Sequence, residues 1–281
     1  MRKPEVGFSM HPRWAFAQAL LGFLGPLREA GLRALEFELW DRDPDWPRFL
    51  PLMENCQRLG FRLCFHAPYR PPYSIAGFAG ERRAEIEAAY APMLDVAARF
   101  PPASLVVHGA WSETRPHDAL RADTVAFLRW VLERYPGLMP ALENVVPDPR
   151  RIKIGTTRVE VLEIVEEVGN QRLGICWDMG HDVKAGRLDT PPAAWLSRVV
   201  HVHLHDIDGR GVDHYPLLYG QVPYPVWLPA LLRSGFDGIV TLEIKGNQLA
   251  HLGVERITRV LLHSITEVAR SLETPTEAAC F

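Results

Sequence analysis

Cysteine is scarce in this chain of 281 residues, with four in all. Cys56, Cys64, Cys176 and Cys280 make no CxxC pair and no disulfide-type spacing, which argues against a redox motif, a thiolate metal site or a stapled secreted scaffold. They are expected to be reduced, buried thiols of a cytoplasmic protein. No apolar run approaches bilayer-spanning length, and the first residues lack the charged-then-apolar pattern of a secretion signal. An excess of one charge is missing too. The net charge is −3 and no Lys/Arg-rich run stands out, so nucleic acid is not an expected partner. No GxGxxG follows the first strand candidate and GxxxxGK(S/T) is absent, which removes the main nucleotide-binding folds.

What is present is alternation. Eight short runs rich in Val, Ile, Leu or Phe occur at 6–10, 34–40, 62–68, 104–110, 139–145, 173–179, 199–206 and 238–244. Helical patterns lie between them. Ile86, Tyr90, Met93, Leu94 and Ala97 recur at helical spacing, with Pro92 expected to kink that helix. Thr157 and Glu160 form a capping box ahead of Val161, Leu162 and Val165, and Gly169 stands where a C-terminal stop belongs. Ile257, Val260, Leu261, Ile265 and Val268 mark a final helix, with 272–281 a frayed tail. Strand–helix alternation with no linker and no second composition regime predicts an α/β fold. A single (β/α)8 TIM barrel over residues 1–281 is the expectation, in preference to a doubly wound sheet.

In such a barrel, functional groups sit where strands end, because the loops there form a cup over a closed floor. His66 ends the third run, His108 the fourth, Glu143 the fifth and Asp178 the sixth, with His181 three residues on. His203 lies in the seventh and Glu243 ends the eighth. Two residues earlier on the same faces stand Cys64, Val106, Ala141, Cys176, His201 and Thr241, mostly small, as a narrow barrel interior requires. Taken singly, each histidine reads as a hydrogen-bonded core residue and each glutamate as a solvated loop entry. Six strands ending this way read differently. Ionisable groups converging in one cup repel and desolvate one another unless a cation offsets their charge. Carboxylate and imidazole donors without thiolate suit Zn²⁺, Mn²⁺, Co²⁺ or Fe²⁺ better than Ca²⁺ or Mg²⁺.

The segments FHAPY (65–69), VVHGA (106–110), ALENV (141–145), WDMGH (177–181), HVHLHD (201–206), DHYPLLYGQV (213–222) and TLEIKG (241–246) follow one another in a familiar order. Together the chain resembles the xylose isomerase-like superfamily, in its sugar phosphate isomerase/epimerase and endonuclease IV branch. The resemblance implies a metal held by Glu143, Asp178, His203 and Glu243, with the two glutamates acting as acid and base on opposite faces of a sugar. In the endonucleases, which hold three zinc ions, His66, His108, His181 and His214 match further ligands. One departure counts against a complete three-metal site: Val212 occupies the place of an aspartate, with Asp213 adjacent and expected to point elsewhere.

Two chemistries follow. The first is isomerisation or epimerisation of a sugar or sugar phosphate by proton transfer through an enediolate, with Glu143, Glu243 and His181 as catalytic groups. The second is metal-dependent phosphodiester hydrolysis, which the extra histidines favour. A barrel that binds metal without catalysis is the third class. Arg150, Arg151 and Lys153 after the fifth run, and Lys245 after the eighth, are candidates to hold a substrate phosphate or carboxylate; solvated loop charge is the alternative. Trp40, Tyr69, Phe78 and Trp111 are candidates to shape a sugar pocket, or else pack over the rim. Residues 69–80 suit a lid. His201 and His205 are read as supporting groups behind His203. The sequence leaves room for a homo-oligomer.

Overall fold

The computed structural model describes residues 3–10, 18–39, 49–70, 73–249 and 254–273. Eight strands, β1 (Glu5–Met10), β2 (Leu32–Glu38), β3 (Arg62–His66), β4 (Ala103–Val107), β5 (Leu138–Glu143), β6 (Gly174–Asp178), β7 (Val199–Leu204) and β8 (Ile239–Leu242), close into a barrel. Each is parallel to both neighbours, and chain order is ring order. The helices are α1 (Gln18–Glu29), α2 (Leu50–Arg58), α3 (Arg83–Ala97), α4 (His117–Arg134), α5 (Arg158–Val168), α6 (Met179–Lys184), α7 (Ala193–Leu196), α8 (Tyr224–Arg233), α9 (Gly246–Leu249) and α10 (Val254–Glu273). This is the predicted (β/α)8 TIM barrel.

All eight predicted runs become strands, and seven of them end one to three residues earlier than the apolar pattern suggests. The reason is burial beyond the ladder. Ala67, Ala110, Val145 and Ile244 leave the sheet yet stay buried, so their apolar character extends the run without extending the strand. The expected kink is not a break: α3 runs from Arg83 to Ala97 across Pro92. Burial of Ile86, Tyr90, Met93 and Leu94 on its inner face holds the turn from which proline removes one hydrogen bond. In α5 the Thr157 side chain accepts from the Glu160 amide, and Gly169 closes the helix at φ 65°. The Glu160 carboxylate, however, accepts from the amides of Gly155 and Thr156 (2.7 and 3.2 Å), two residues and one residue further back than a capping box reaches.

The outer strand faces (Phe37, Phe65, Leu105, Leu142, Trp177, Leu204) pack under the helices in one continuous core. Inside the barrel two small clusters, Ala34–Cys64–Ile239 and Val106–Ala141–Cys176, fill the narrow interior with low-volume side chains. Gly7 on β1 belongs to the same constraint. A Cβ there would come within 2.8 Å of Thr241 Oγ1 and Ile239 Cγ2.

Above the strand ends, buried aspartates hold the loops. Asp123 accepts from the Gly77 and Ala79 amides and from Arg115. Asp182 accepts from Arg158, Arg187, Trp177 and Asn144. Asp206 accepts from the amides of Ile207, Leu218, Tyr219, Gly220 and Gln221, folding residues 207–221 around one carboxylate. Asp206→Ala strands those donors and is expected to lower unfolding free energy by about 3 kcal/mol or more. Urea unfolding checks this, and a wild-type midpoint would mean the loop is held otherwise. A two-residue antiparallel ladder, Trp111–Ser112 with Ile152–Lys153, sets Trp111 opposite Lys153 over the mouth. No helix among the described residues is long and apolar enough to cross a membrane. Trp40, most of the tail and two residues of the 69–80 loop lie outside the described residues.

Candidate active site

The strand-end residues meet. Glu143, the last residue of β5, is the hub: its Oε2 lies 2.9 Å from His108 Nε2 and 3.3 Å from His66 Nε2. Its Oε1 lies 3.3 Å from His181 Nδ1 and 3.7 Å from His203 Nδ1. Glu243, one residue past β8, brings Oε2 to 3.3 Å from both His203 Nδ1 and His214 Nε2. Asp178, at the end of β6, lies 3.2 Å from His181 through Oδ2 and 3.2 Å from His205 through Oδ1. These groups are buried or nearly so.

Hydrogen bonds fix which nitrogens face the centre. His66 Nδ1 is spent on the Ala67 carbonyl (2.8 Å), leaving Nε2 toward Glu143, whereas His181 Nδ1 lies near the Asn144 carbonyl (2.9 Å) and the carboxylates of Glu143 and Asp178 alike. His203 Nε2 donates to Glu36 Oε2 at 3.1 Å, leaving Nδ1 toward the two glutamates. The amide of His214 donates to His205 Nδ1 at 3.0 Å, so His205 Nε2 carries its proton toward Asp178. His214 adopts the left-handed φ of 60° to do so, a strained backbone held at the site. Gly180 is required beneath it, since a Cβ there would overlap the His205 ring.

These donors fit a divalent cation. Glu143 Oε2, Asp178 Oδ2, His203 Nδ1 and Glu243 Oε2 are all buried without a hydrogen-bond partner, one atom from each of the four residues that sequence resemblance picked as ligands. Histidine nitrogens stand close to the carboxylate oxygens, but none is aligned to bond them. Buried acceptors left this way carry a desolvation penalty that a cation would offset. The described residues supply several groups able to hold an ion, among them His66–His108–Glu143, His66–His203–Glu243 and Asp178–His181–His205–His214.

Protonation shows the same demand for positive charge. Burial pushes His66 and His181 down, yet the carboxylates beside them outweigh it and lift each from 6.5 to about 9. His203 is likewise raised by Glu36, Glu243 and Glu143 against its burial. Burial pushes Glu143 and Glu243 up, but their histidine neighbours hold both well below the carboxylate range. Burial keeps His108, His201 and His205 low. A metal must therefore displace protons. Zn²⁺ held through His203 is expected to bind more tightly as pH rises, by up to about tenfold per pH unit for the one proton it displaces. Metal-free stability runs the opposite way: the share due to His66 and His181 is complete below pH 6.5 and lost through about pH 9. Calorimetric titration at pH 6, 7 and 8 checks the first, and pH-independent affinity would contradict it.

The cavity over these groups measures about 530 Å³ and is lined by Tyr69, His108, Trp111, Glu143, His181, His214, Glu243 and Lys245, among others. Tyr69 stacks on His108 at 3.8 Å, and Lys245 Nζ meets His214 Nδ1 at 3.0 Å. Arg151 and Lys153 line the mouth, whereas Arg150 is exposed and outside the lining. Phe78 packs with Phe127 and Trp130 in the core, the rim-packing alternative. Asp213, expected to point elsewhere, lines the cavity 2.8 Å from His214 Nδ1. Its oxygens are taken by His214 and Lys184.

Sequence reasoning missed Glu36. Fully buried on β2, its Oε2 also lies 2.9 Å from His201 Nε2, and His201 in turn contacts Thr241 and Ser104 across the barrel. The usable signal was alternation: Glu36 shares a face with the interior Ala34.

The sequence profile of the xylose isomerase-like TIM barrel matches residues 24–265. The chain belongs to that family. Among solved structures, a D-tagatose 3-epimerase-like protein superposes with a TM-score of 0.71 at 22% identity, covering 97% of this chain and 98% of that one. The D-allulose 3-epimerase of Methylomonas sp. gives 0.70 at 18% identity, covering 97% and 99%. The D-psicose 3-epimerase of Clostridium cellulolyticum H10, crystallised with D-tagatose, gives 0.70 at 13%, covering 96% and 100%. At these identities the likeness to this xylose isomerase-like barrel is one of fold. A curated relative, the uncharacterised protein MJ1311 of Methanocaldococcus jannaschii, is 32% identical over 116 residues, spanning 39% of this chain and 38% of that protein.

Proposed function

We propose that this protein is a metal-dependent sugar isomerase or epimerase in which Glu143 and Glu243 act as proton acceptor and proton donor. One observation carries the reading: the two carboxylates come from strands separated by two others in the ring, yet both reach toward His203 Nδ1, at 3.7 and 3.3 Å, in one cavity. They can therefore stand on either side of a substrate. Glu143, Asp178, His203 and Glu243 would hold a divalent ion such as Zn²⁺, Mn²⁺ or Co²⁺, which when bound acidifies the carbon beside a chelated carbonyl. One glutamate takes the proton, leaving an enediolate, and the other gives a proton of its own to the same or the neighbouring carbon, after which exchange with solvent restores both glutamates. His181 lines the cavity, is held protonated by the carboxylates beside it, and can donate to a substrate oxygen. Tyr69 and Trp111 supply apolar faces for a sugar ring. The epimerases that share the fold support a small sugar as partner.

The histidine groups around Glu143 and Asp178 favour a second reading, metal-dependent hydrolysis of a phosphate ester of the endonuclease IV type. Metal analysis of purified protein, with a ketose panel run in heavy water, separates the two. Deuterium entering a ketose supports proton transfer; phosphate release or nicking of abasic DNA without exchange overturns it.

A further inference from the structure

Five cationic side chains line the cavity, Arg70, Arg151, Lys153, Lys184 and Lys245, against the carboxylates of Glu143, Asp213 and Glu243. Glu143 and Glu243 face histidines, and Asp213 is taken by Lys184 at 2.5 Å and His214 at 2.8 Å. Arg151 and Lys153 are left with distant acids: Glu113 lies 3.7 Å from Arg151 Nε, and Asp148 lies 3.9 Å from Lys153 Nζ. Arg151 Nε is buried with no hydrogen-bond partner among the described residues. The pair is nonetheless held in place. Lys153 is fixed opposite Trp111 by the two-residue ladder and donates to the Val146 carbonyl (3.1 Å), while the Arg151 guanidinium lies 4.5 Å over the Trp111 ring. Burial pushes the Lys153 ammonium below its ordinary value; the nearby Asp148 works against this, and the charges of Arg151 and Lys184 add to it. Like charges ordered side by side, with their acids Glu113 and Asp148 no nearer than 3.7 Å, make a ready anion seat.

We propose that the substrate carries a phosphate or carboxylate group, which Arg151 and Lys153 hold at the cavity mouth while its carbonyl end lies against Glu143 and Glu243. The placement of the carbonyl end rests on the proton-transfer reading; the anion seat does not. A guanidinium fork takes two oxygens of such a group and an ammonium takes another, a match that a neutral sugar lacks.

Calorimetric binding of D-fructose, D-fructose 6-phosphate and 5-keto-D-gluconate to the holoprotein tests this. At least one anionic compound is expected to bind about tenfold or more tighter than fructose, a margin that shrinks with salt. Arg151→Met combined with Lys153→Met is expected to remove the margin, bringing the anionic compounds to the affinity of fructose in the same variant. The tighter of the two anions names the group. Equal affinities, no binding by either anion, or a margin that survives in the double variant would overturn the proposal. Heavy-water exchange read on the same samples keeps the two ideas apart. Exchange without anion preference sinks the seat alone, and preference without exchange sinks the proton transfer alone.

Discussion

Glu143→Gln is expected to lower kcat by roughly 10⁴-fold, the upper end of what a positioned acid–base group contributes. The amide keeps the shape of the carboxylate but cannot take a proton, and it removes the charge at the hub of four histidines. On the proposed mechanism two losses coincide, the proton acceptor and a donor to the cation. Glu243→Gln touches only His203 and His214 and is expected to lose somewhat less. A second readout separates chemistry from misfolding. Glu143 helps lift His66 and His181 to about 9, so in the metal-free Glu143→Gln protein both should titrate closer to 6.5, followed by NMR of the ring protons. Steady-state rates on whichever ketose exchanges deuterium give the kinetic answer. Retention of most activity by either variant removes that glutamate from the mechanism.

The residues that define the site were legible because they stand where a strand stops. His66, Glu143 and Asp178 are each the last residue of a strand, and position near a strand end is a local property of the chain. The eight strands were legible for the same reason. What escaped notice depends on partners distant in sequence. Glu36 reads as an ordinary polar residue in LEFEL until β7 places His203 against it, 167 positions later. Asp123, Asp182 and Asp206 look like surface acids, yet each is buried because donors from elsewhere in the chain converge on it. Arg150 and Arg151 look alike in the sequence, and only the fold shows that Arg151 lines the cavity with Trp111 and Lys153. Long-range pairing, not composition, carried that information.

Glu36→Leu is expected to destabilise the protein by about 3–5 kcal/mol, the range for removing one partner of a buried ionic cluster. Its Oε2 receives both His201 (2.9 Å) and His203 (3.1 Å) in the middle of the barrel, so leucine strands two ring nitrogens where no water reaches. The effect has a sign in pH. Burial pushes the Glu36 carboxyl up, but the two histidines outweigh it and hold it far below its usual 4.5. Its contribution is therefore fully present above about pH 4.5 and lost as pH falls through the lower folded value, so the gap to wild type should narrow only in acid. The consequence for the site is orientation. With Nε2 no longer anchored, His203 can turn its Nδ1 away from Glu143 and Glu243, and metal affinity should fall by about 10–100-fold. Glu36→Gln retains an acceptor and should lose less of both quantities. A Glu36→Leu protein with wild-type metal affinity would mean that packing alone aims His203, and the hydrogen bond from its Nε2 would then have no part in building the centre.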